Sequence, residues 1–331
     1  MAIDRRTFIR DTSLIVSAGA LGAGLSACSG ESQPPATSMP PPAPAHQTPD
    51  LLASYWTLAG DVSPATGGRE WSLFDFRDRV EAIARVGFKG MGIWHTDLYH
   101  TLETYTLTDM KKILDDNGIV HVELEFLLDW FLEGDRKKAS DEHRAKLLNA
   151  AEALGARHIK GGDFFNEKAE MDHLVEAFAG VCRDCANAGT RFVFEVMPFS
   201  MLNNVRDGLT MLEGADADNG GFIIDTWHIV KMRTPMEELA SIPKRFMLGV
   251  ELNDGWVNTP EGMEMTTETT QHRMFPGQGE FDMPALMAAI QATGYDGPYG
   301  VEVISEENRA RSLDELADLA YRTTAEQFRY A

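Results

Sequence analysis

The sequence has little cysteine and little positive charge. Three cysteines among 331 residues cannot build a disulfide-dense scaffold, and 30 Lys and Arg residues stand against 51 Asp and Glu residues. The formal charge of −21 excludes nucleic acid as a partner, because phosphate polymers bind to Lys- and Arg-rich faces. A Gly-rich phosphate loop is missing as well, since Gly161 and Gly162 alone are too short for one. With 44% hydrophobic residues, the chain can bury a core without disulfide bonds.

Residues 1–27 have the composition of an export signal. The pair Arg5-Arg6 with Phe8 resembles a twin-arginine signal, and residues 12–27 are uncharged. Residues 25–28, Leu-Ser-Ala-Cys, resemble a lipobox, in which the cysteine is diacylated and becomes the new N-terminus. We therefore expect a bacterial lipoprotein in the periplasm, attached to the membrane only through a lipid on Cys28. An ordinary cleavage site before Cys28 is the alternative.

Residues 28–50 follow as a spacer. They are rich in Pro, Ala, Ser and Thr and include three consecutive prolines at positions 40–42. Such a composition favours extended conformations and offers almost nothing to bury. The sequence therefore predicts a flexible Pro-rich tether, and a folded domain over residues 51–331.

The folded domain alternates short apolar runs with amphipathic segments. This repetition predicts parallel strands joined by helices, and eight such units are typical of a (β/α)8 TIM barrel. The candidate strands span residues 52–58, 87–94, 119–126, 156–161, 191–196, 221–225, 245–252 and 297–304. The α/β fold class and its closed eight-stranded barrel are therefore the first expectations to test.

Acidic residues stand at most of the predicted strand ends. In a TIM barrel these ends converge on one face, where the chemistry takes place. Each of four strands ends on a single acid, Glu195, Asp225, Glu251 or Glu302. One such acid alone is more often an exposed residue just past a strand, but four converging carboxylates repel each other unless a cation lies among them. The pattern predicts a divalent metal ion, Mg²⁺ or Mn²⁺ for oxygen ligands, with a nearby histidine favouring Mn²⁺, Co²⁺ or Zn²⁺.

The second half of the domain carries five motifs with a family resemblance. They are Phe-Glu at 194–195, Asp-Thr-Trp-His at 225–228, Val-Glu-Leu-Asn-Asp at 250–254, Pro-Gly-Gln-Gly-Glu-Phe-Asp at 276–282 and Gly-Tyr-Asp-Gly-Pro-Tyr-Gly-Val-Glu at 294–302. In order and spacing they resemble the xylose-isomerase-like sugar phosphate isomerase/epimerase superfamily. The first half matches it in pattern only.

The resemblance implies a ligand set for the metal ion. It assigns metal binding to Glu195, Asp225, position 251 and Glu302. At position 251 the family has a histidine, whereas this sequence has Glu251, which makes the set all-carboxylate. The resemblance therefore leaves the fourth ligand open, and Asp254 or a nearby histidine could complete the set instead.

The resemblance also implies catalytic and binding roles. Glu195 and Glu302 correspond to the acid/base pair that moves a proton beside a carbonyl group. His228 and Arg273 correspond to residues that bind the substrate. The structural alternatives are a histidine that only supports the metal ligands and a surface arginine.

Three residues in the first half of the barrel are further candidates without a precedent in the resemblance. Lys160 ends the fourth predicted strand, where it could bind a substrate oxyanion. His95 and Glu125 are similarly placed, and either could carry the second proton of an elimination. Tryptophans 56, 94, 130 and 227 are expected to wall the pocket, since aromatic faces pack on the C–H surface of a sugar; Trp56 is the binding candidate among them.

These expectations combine into a divalent-metal-dependent isomerase, epimerase or lyase that acts on a sugar, keto-sugar or polyol. A phosphorylated substrate does not fit an extracytoplasmic location. The departure at Glu251 keeps open the alternative of a non-catalytic sugar-binding lipoprotein on the same barrel. An endonuclease of the related abasic-site family would need a histidine-rich zinc cluster and a basic face, which the sequence lacks. The oligomeric state stays open, a homo-oligomer included.

Overall fold

A computed structural model describes residues 48–64 and 69–329. Residues 1–27, Cys28 and most of the tether lie outside the described residues. Eight parallel strands form one closed barrel in chain order, and the last strand pairs with the first. The predicted (β/α)8 barrel is confirmed. The strands are β1 Leu51–Ala53, β2 Gly90–Trp94, β3 His121–Leu127, β4 His158–Gly161, β5 Phe192–Glu195, β6 Gly220–Asp225, β7 Met247–Leu252 and β8 Tyr299–Val301.

Helices connect the strands and cover the outside of the barrel. They are α1 Tyr55–Leu58, α2 Phe76–Val86, α3 His95–Thr101, α4 Leu107–Asp116, α5 Gly134–Leu154, α6 Met171–Asn187, α7 Val205–Ala215, α8 Thr226–Lys231, α9 Met236–Ala240, α10 Met265–Gln271, α11 Met283–Ala292 and α12 Leu313–Glu326. Helix α2 illustrates the local signals. The Asp75 carboxylate accepts the Arg77 N–H at its start, and Gly87 ends it with φ of 113°. None of the described helices has the length and apolar character to cross a membrane.

The first strand is shorter than the sequence predicts. The apolar run 52–58 was expected to be one strand, but β1 ends at Ala53 and residues Tyr55–Leu58 form α1. A fully buried run gives the same hydrophobic pattern in either conformation. Tertiary contacts select the helix, because the Ser54 N–H and the Thr57 hydroxyl both donate to the Val301 carbonyl, at 3.1 and 2.8 Å.

Two glycines leave space for long acidic side chains inside the barrel. A Cβ atom on Gly92 of β2 would lie 2.8 Å from Glu125 Oε1 and 2.9 Å from the Tyr55 nitrogen. A Cβ atom on Gly300 of β8 would lie 3.1 Å from Glu251 Cγ. Because these contacts are too close for a side chain, glycine at both positions lets the carboxylates fit at the mouth of the barrel.

Candidate active site

The strand ends place six charged side chains together at the mouth of the barrel. Pairing of the strands sets Glu125 beside Lys160 and Asp225 beside Glu251. Glu195 ends β5, and Glu302 directly follows β8. All six side chains are buried. The structure therefore brings together residues that are up to 177 positions apart in the sequence, from both halves of the barrel.

Lys160 lies in the middle of this group. Its ammonium nitrogen is 2.8 Å from Glu251 Oε1, 3.0 Å from Glu125 Oε2 and 3.2 Å from Glu302 Oε1. Ser54 also donates to Glu251 Oε1, at 2.8 Å. Lys160 is therefore the shared counter-ion of three carboxylates. The sequence analysis predicted that it binds substrate and did not predict these ion pairs.

Arg273 is a second buried cation in the group. Its Nη1 donates to Asp225 Oδ2 at 2.7 Å and to Glu302 Oε2 at 2.8 Å. Thr269 accepts from Nη2 at 2.8 Å, and the Asn253 amide donates to Asp225 Oδ2 at 2.9 Å. The alternative of a surface arginine is therefore wrong, because Arg273 is only 3% exposed.

His228 contacts the group from helix α8. Its Nε2 lies 3.3 Å from Glu195 Oε1 and 3.4 Å from Arg273 Nη2. Its backbone N–H donates to Asp225 Oδ1 at 3.1 Å, so Asp225 also caps the helix. No described residue is a hydrogen-bond partner of Nδ1.

The charges shift the pKa values of these carboxyl groups in opposite directions. Burial raises the pKa of Glu125 to about 7, with Glu302 adding to the effect and Lys160 opposing it. Burial would also raise the pKa of Glu195, but Lys160 and His228 outweigh it and lower the value to about 2. Burial and then Glu302 raise the pKa of Glu251 well above its ordinary value. One carboxyl group therefore titrates near neutral pH while a neighbour stays ionised, a pattern typical of acid/base sites.

Four of the carboxylates could hold a divalent metal ion. Oxygen atoms of Glu195, Asp225, Glu251 and Glu302 lie within 4.8 Å of one another, and His228 forms a second such group with Glu195 and Asp225. Five buried carboxylates, these four and Glu125, face only two full cations, Lys160 and Arg273. The four converging oxygen donors fit a hard divalent cation.

A cavity of about 450 Å³ opens onto this charged group. Eight of the predicted site residues line it: Trp56, His95, Glu125, Lys160, Glu195, His228, Arg273 and Glu302. Asp225 and Glu251 are absent from the lining and lie behind it, held by Arg273 and Lys160. The cavity thus has a charged floor at the strand ends.

Aromatic side chains form another part of the cavity wall. Trp94 packs against Trp56 with ring centroids 5.0 Å apart, and Phe126 stacks on Phe164 at 4.7 Å. Phe199 completes this wall next to His228. The sequence analysis identified the two tryptophans but not the three phenylalanines, because nothing in the local pattern separates a cavity phenylalanine from a core one.

Three expectations about the site need correction. Trp130 and Trp227 do not wall the cavity; both are fully buried in the core between strands and helices. Asp254 does not complete the metal ligands, because its carboxylate accepts the backbone N–H groups of Gly255, Gly277 and Phe281, at 2.8 to 3.0 Å. It organises the loop that carries the Pro-Gly-Gln-Gly motif. Ser54 and Asn253, which hold two of the carboxylates, had no sequence signal.

Comparisons with known proteins point to one family. A family model described as "Xylose isomerase-like TIM barrel" matches residues 80–323. A 3-dehydroshikimate dehydratase of Pseudomonas aeruginosa is 25% identical over 258 residues, 74% of this chain and 39% of that protein. The chain thus spans about two fifths of the length of that dehydratase. An inosose isomerase of Halalkalibacterium halodurans is 22% identical over 243 residues, 68% of this chain and 81% of the relative.

Solved structures share the same architecture. An IOLI protein with a bound zinc atom superimposes with a TM-score of 0.73 at 17% identity, over 84% of this chain and 98% of that one. A D-allulose 3-epimerase from Methylomonas sp. in complex with D-allulose gives a TM-score of 0.61 at 18% identity, over 83% and 96%. At these identities the similarity shows the common fold.

Proposed function

The protein belongs to the xylose isomerase-like TIM barrel family, and we propose that it is an enzyme that removes a proton beside a carbonyl group of a sugar, keto-sugar or polyol. Isomerisation, epimerisation and elimination of hydroxylated ketones all begin with this step. The relatives are named as a dehydratase, an isomerase and an epimerase. Their different outcomes support a common first step rather than a particular product.

Glu125 carries the proposal because it has three properties of a catalytic base. It lines the cavity, its buried Oε1 has no hydrogen-bond partner among the described residues, and its pKa is raised to about 7. A base is most effective when its pKa lies near the working pH. Glu125 is therefore the residue that we assign to proton removal.

The neighbouring residues bind and orient the substrate. Lys160 and Arg273 present positive charge where an enolate oxygen would form, and both line the cavity. Glu195, whose pKa is lowered to about 2, stays ionised and can accept hydrogen bonds from substrate hydroxyl groups. The predicted acid/base pair of Glu195 and Glu302 stays a prediction that the variants below test.

A divalent metal ion is the second part of the proposal. Glu195, Asp225, Glu251 and Glu302 would hold it, with His228 nearby. When bound, the ion would act as a Lewis acid that polarises the substrate carbonyl. The oxygen-only set suits Mg²⁺ or Mn²⁺, and participation of His228 would favour Mn²⁺, Co²⁺ or Zn²⁺.

The aromatic wall supports a substrate with a carbohydrate-like ring. Trp56, Trp94 and Phe164 line the cavity together with the charged floor. Flat aromatic faces pack well on the C–H surface of a sugar ring, while its hydroxyl groups reach the polar side. The cavity volume lies within the range of small-molecule sites.

Solvent exchange tests the proposed reaction. The protein is incubated with Mn²⁺ and, in turn, inosose, 3-dehydroshikimate or D-allulose in deuterium oxide, and proton NMR follows the C–H signal beside the carbonyl. We expect the signal to disappear with at least one of the three. Glu125→Gln should slow this loss about 100-fold or more, because the amide cannot accept the proton.

Matched variants separate this role from others. Glu152→Gln, an exposed change on α5, should leave the rate unchanged, whereas Glu195→Gln and Glu302→Gln test the predicted pair. An unchanged rate in Glu125→Gln would exclude it as the base. Binding without exchange in the wild-type protein would favour the sugar-binding lipoprotein instead.

A further inference from the structure

His95 lines the cavity next to Glu125 in a position that the chain itself determines. Strand β2 ends at Trp94 and helix α3 begins at His95, so the imidazole projects from the strand end towards the mouth of the barrel. Its Nδ1 lies 3.2 Å from the backbone nitrogen of Phe126, which donates its N–H to the ring. An Nδ1 atom that accepts this hydrogen bond carries no proton.

A second histidine contacts the same residue, Phe126, through the peptide group on its other side. His143 of α5 has its Nε2 3.0 Å from the Phe126 carbonyl oxygen. A carbonyl can only accept, so His143 Nε2 carries the proton. Burial lowers the pKa of His143, so the ring is neutral and its Nδ1 accepts from the Tyr99 hydroxyl at 2.7 Å. The donor of each hydrogen bond that links Tyr99, His143, Phe126 and His95 is therefore assigned.

These contacts from Tyr99 through His143 and Phe126 form a relay that ends at His95, which lines the cavity. With Nδ1 occupied as an acceptor, a neutral His95 must carry its proton on Nε2. Burial, with His143 adding to its effect, lowers the pKa of His95 to about 4, and only the peptide group of Glu125 acts in the opposite direction. The hydrogen bond of the His95 ring to a described residue is the one that Nδ1 accepts from the Phe126 N–H, and the ring lines the cavity.

We propose that His95 is a neutral imidazole with its proton on Nε2, directed into the cavity as a fixed hydrogen-bond donor to the substrate carbonyl oxygen. This assignment rests on the proposed function, because it needs a carbonyl substrate in the cavity. His95 is then a catalytic residue, while His143 and Tyr99 are positioning residues that act through it. A neutral donor strengthens its hydrogen bond as negative charge grows on the oxygen, and it does not compete with Glu125 for the proton.

The tautomer can be measured without turnover. Long-range proton–nitrogen NMR of protein labelled with nitrogen-15 histidine distinguishes the two neutral tautomers from the imidazolium. The His95 signals are assigned by their absence in His95→Gln. We expect the Nε2–H tautomer from about pH 8 to about pH 5, given the lowered pKa. An Nδ1–H tautomer or an imidazolium at neutral pH would overturn the proposal.

The positioning role has its own readout. His143→Phe removes the donor to the Phe126 carbonyl, so we expect a mixture of His95 tautomers. His143→Gln keeps an amide donor at this position and should restore the Nε2–H form. His121→Ala is the control, because His121 lies at the start of β3, where its Nε2 pairs with Asp50. This variant should leave the His95 tautomer unchanged. An unaltered His95 tautomer in His143→Phe would contradict the relay.

Catalysis tests the contact with substrate. In the exchange assay, His95→Ala should lower kcat about 100-fold, the effect of losing one oxyanion donor, while His95→Gln should retain a rate within about tenfold of wild type. An unchanged kcat in His95→Ala would overturn the donor role. If the wild-type protein exchanges none of the three compounds, the proposed function fails for them. The donor role of His95 is then tested by adding D-allulose or inosose at saturating concentration and recording the NMR spectrum of the labelled histidines. A shift of the His95 Nε2–H signal would support the donor role, and the absence of a shift would contradict it.

Discussion

Glu251 and Lys160 face each other in the barrel, and their pairing changes what the carboxylate group can do. Both ammonium contacts to Glu251, at 2.8 and 2.9 Å, use the oxygen atoms through which this residue would bind a metal ion. Lys160 also contacts Glu302, a second candidate ligand. The lysine therefore competes with a divalent cation for two of the four ligands, and its positive charge repels that cation.

Removal of this competitor should increase metal affinity. We expect Lys160→Met to bind Mn²⁺ or Zn²⁺ at least tenfold more tightly than the wild type, about 1.4 kcal/mol, by isothermal titration calorimetry. The metal should also raise the melting temperature of the variant more than that of the wild type. Unchanged or weaker binding in a folded variant would show that Lys160 does not occupy the place of the metal.

Two controls accompany Lys160→Met. Lys89→Met removes an exposed charge outside the cavity and should leave metal affinity unchanged. The double variant Lys160→Met/Glu251→Gln removes one positive and one negative charge together, which restores the charge balance in the barrel. If the single variant does not fold without metal, the double variant should fold and bind the metal through Glu195, Asp225 and Glu302.

The sequence alone predicts where the four acidic residues lie, but it does not predict which cations pair with them. A lone acid at the end of an apolar strand is a local pattern, and it predicted Glu195, Asp225, Glu251 and Glu302 in one place. The contacts of Lys160 with Glu251 and Glu302 join residues 91 and 142 positions apart in the sequence, a separation that no local pattern contains. Lys160 was therefore predicted at the correct strand end, and its three ion pairs were not.

At the scale of elements, short strands with a fixed register hold the site. The predicted strands overlap the observed ones in all eight cases, since alternating apolar runs and helices repeat along the chain. Their bounds differ most in β1, where a buried helix has the same apolar pattern as a strand. Glycines at helix ends can be recognised from sequence. The role of Gly92 cannot, because it consists in leaving space for Glu125 on the neighbouring strand β3.

Gly92 provides a test of this close packing. A Cβ atom there would meet Glu125 Oε1 at 2.8 Å and the Tyr55 nitrogen at 2.9 Å, one of which is backbone. We expect Gly92→Ala to lower the free energy of unfolding by about 1–3 kcal/mol, as overpacking does, measured by urea denaturation.

Gly180 in α6 serves as the matched glycine. A Cβ atom there meets only Arg183 Nη2, at 3.6 Å. Gly180→Ala should therefore stabilise the protein by up to about 1 kcal/mol, through helix propensity. Equal effects of the two substitutions would contradict a special role for the space at Gly92.

At the scale of the whole molecule, the acidic barrel and the N-terminal segment are the basis for a proposal about where the protein is located. Residues 1–28 resemble a twin-arginine lipoprotein signal, and they lie outside the described residues. We propose export to the periplasm with a lipid on Cys28. Cys28→Ser should move the protein from the membrane to the soluble fraction. A variant that stays in the membrane fraction would exclude the lipid anchor.

Most of the negative charge of the molecule is exposed, and a small part has a distinct position. Five carboxylates are concentrated in the buried group at the barrel mouth, with two cations that do not balance them. Burial in this group, with Glu302 adding to its effect, raises the pKa of Glu125 to about 7. The charge of the whole chain excludes nucleic acid as a partner, while the buried position of these few carboxyl groups predicts the proton-transfer site.

The pH dependence of deuterium incorporation tests the central claim most directly. Glu125 must be ionised to accept a proton, and its pKa is about 7. The wild-type rate should therefore rise with pH through an apparent pKa near that value and level off above it. His95 stays neutral over this range and does not contribute to the rise. Glu125→Gln should give a rate that is low and independent of pH. A flat wild-type profile, or the same rise in Glu125→Gln, would contradict the account.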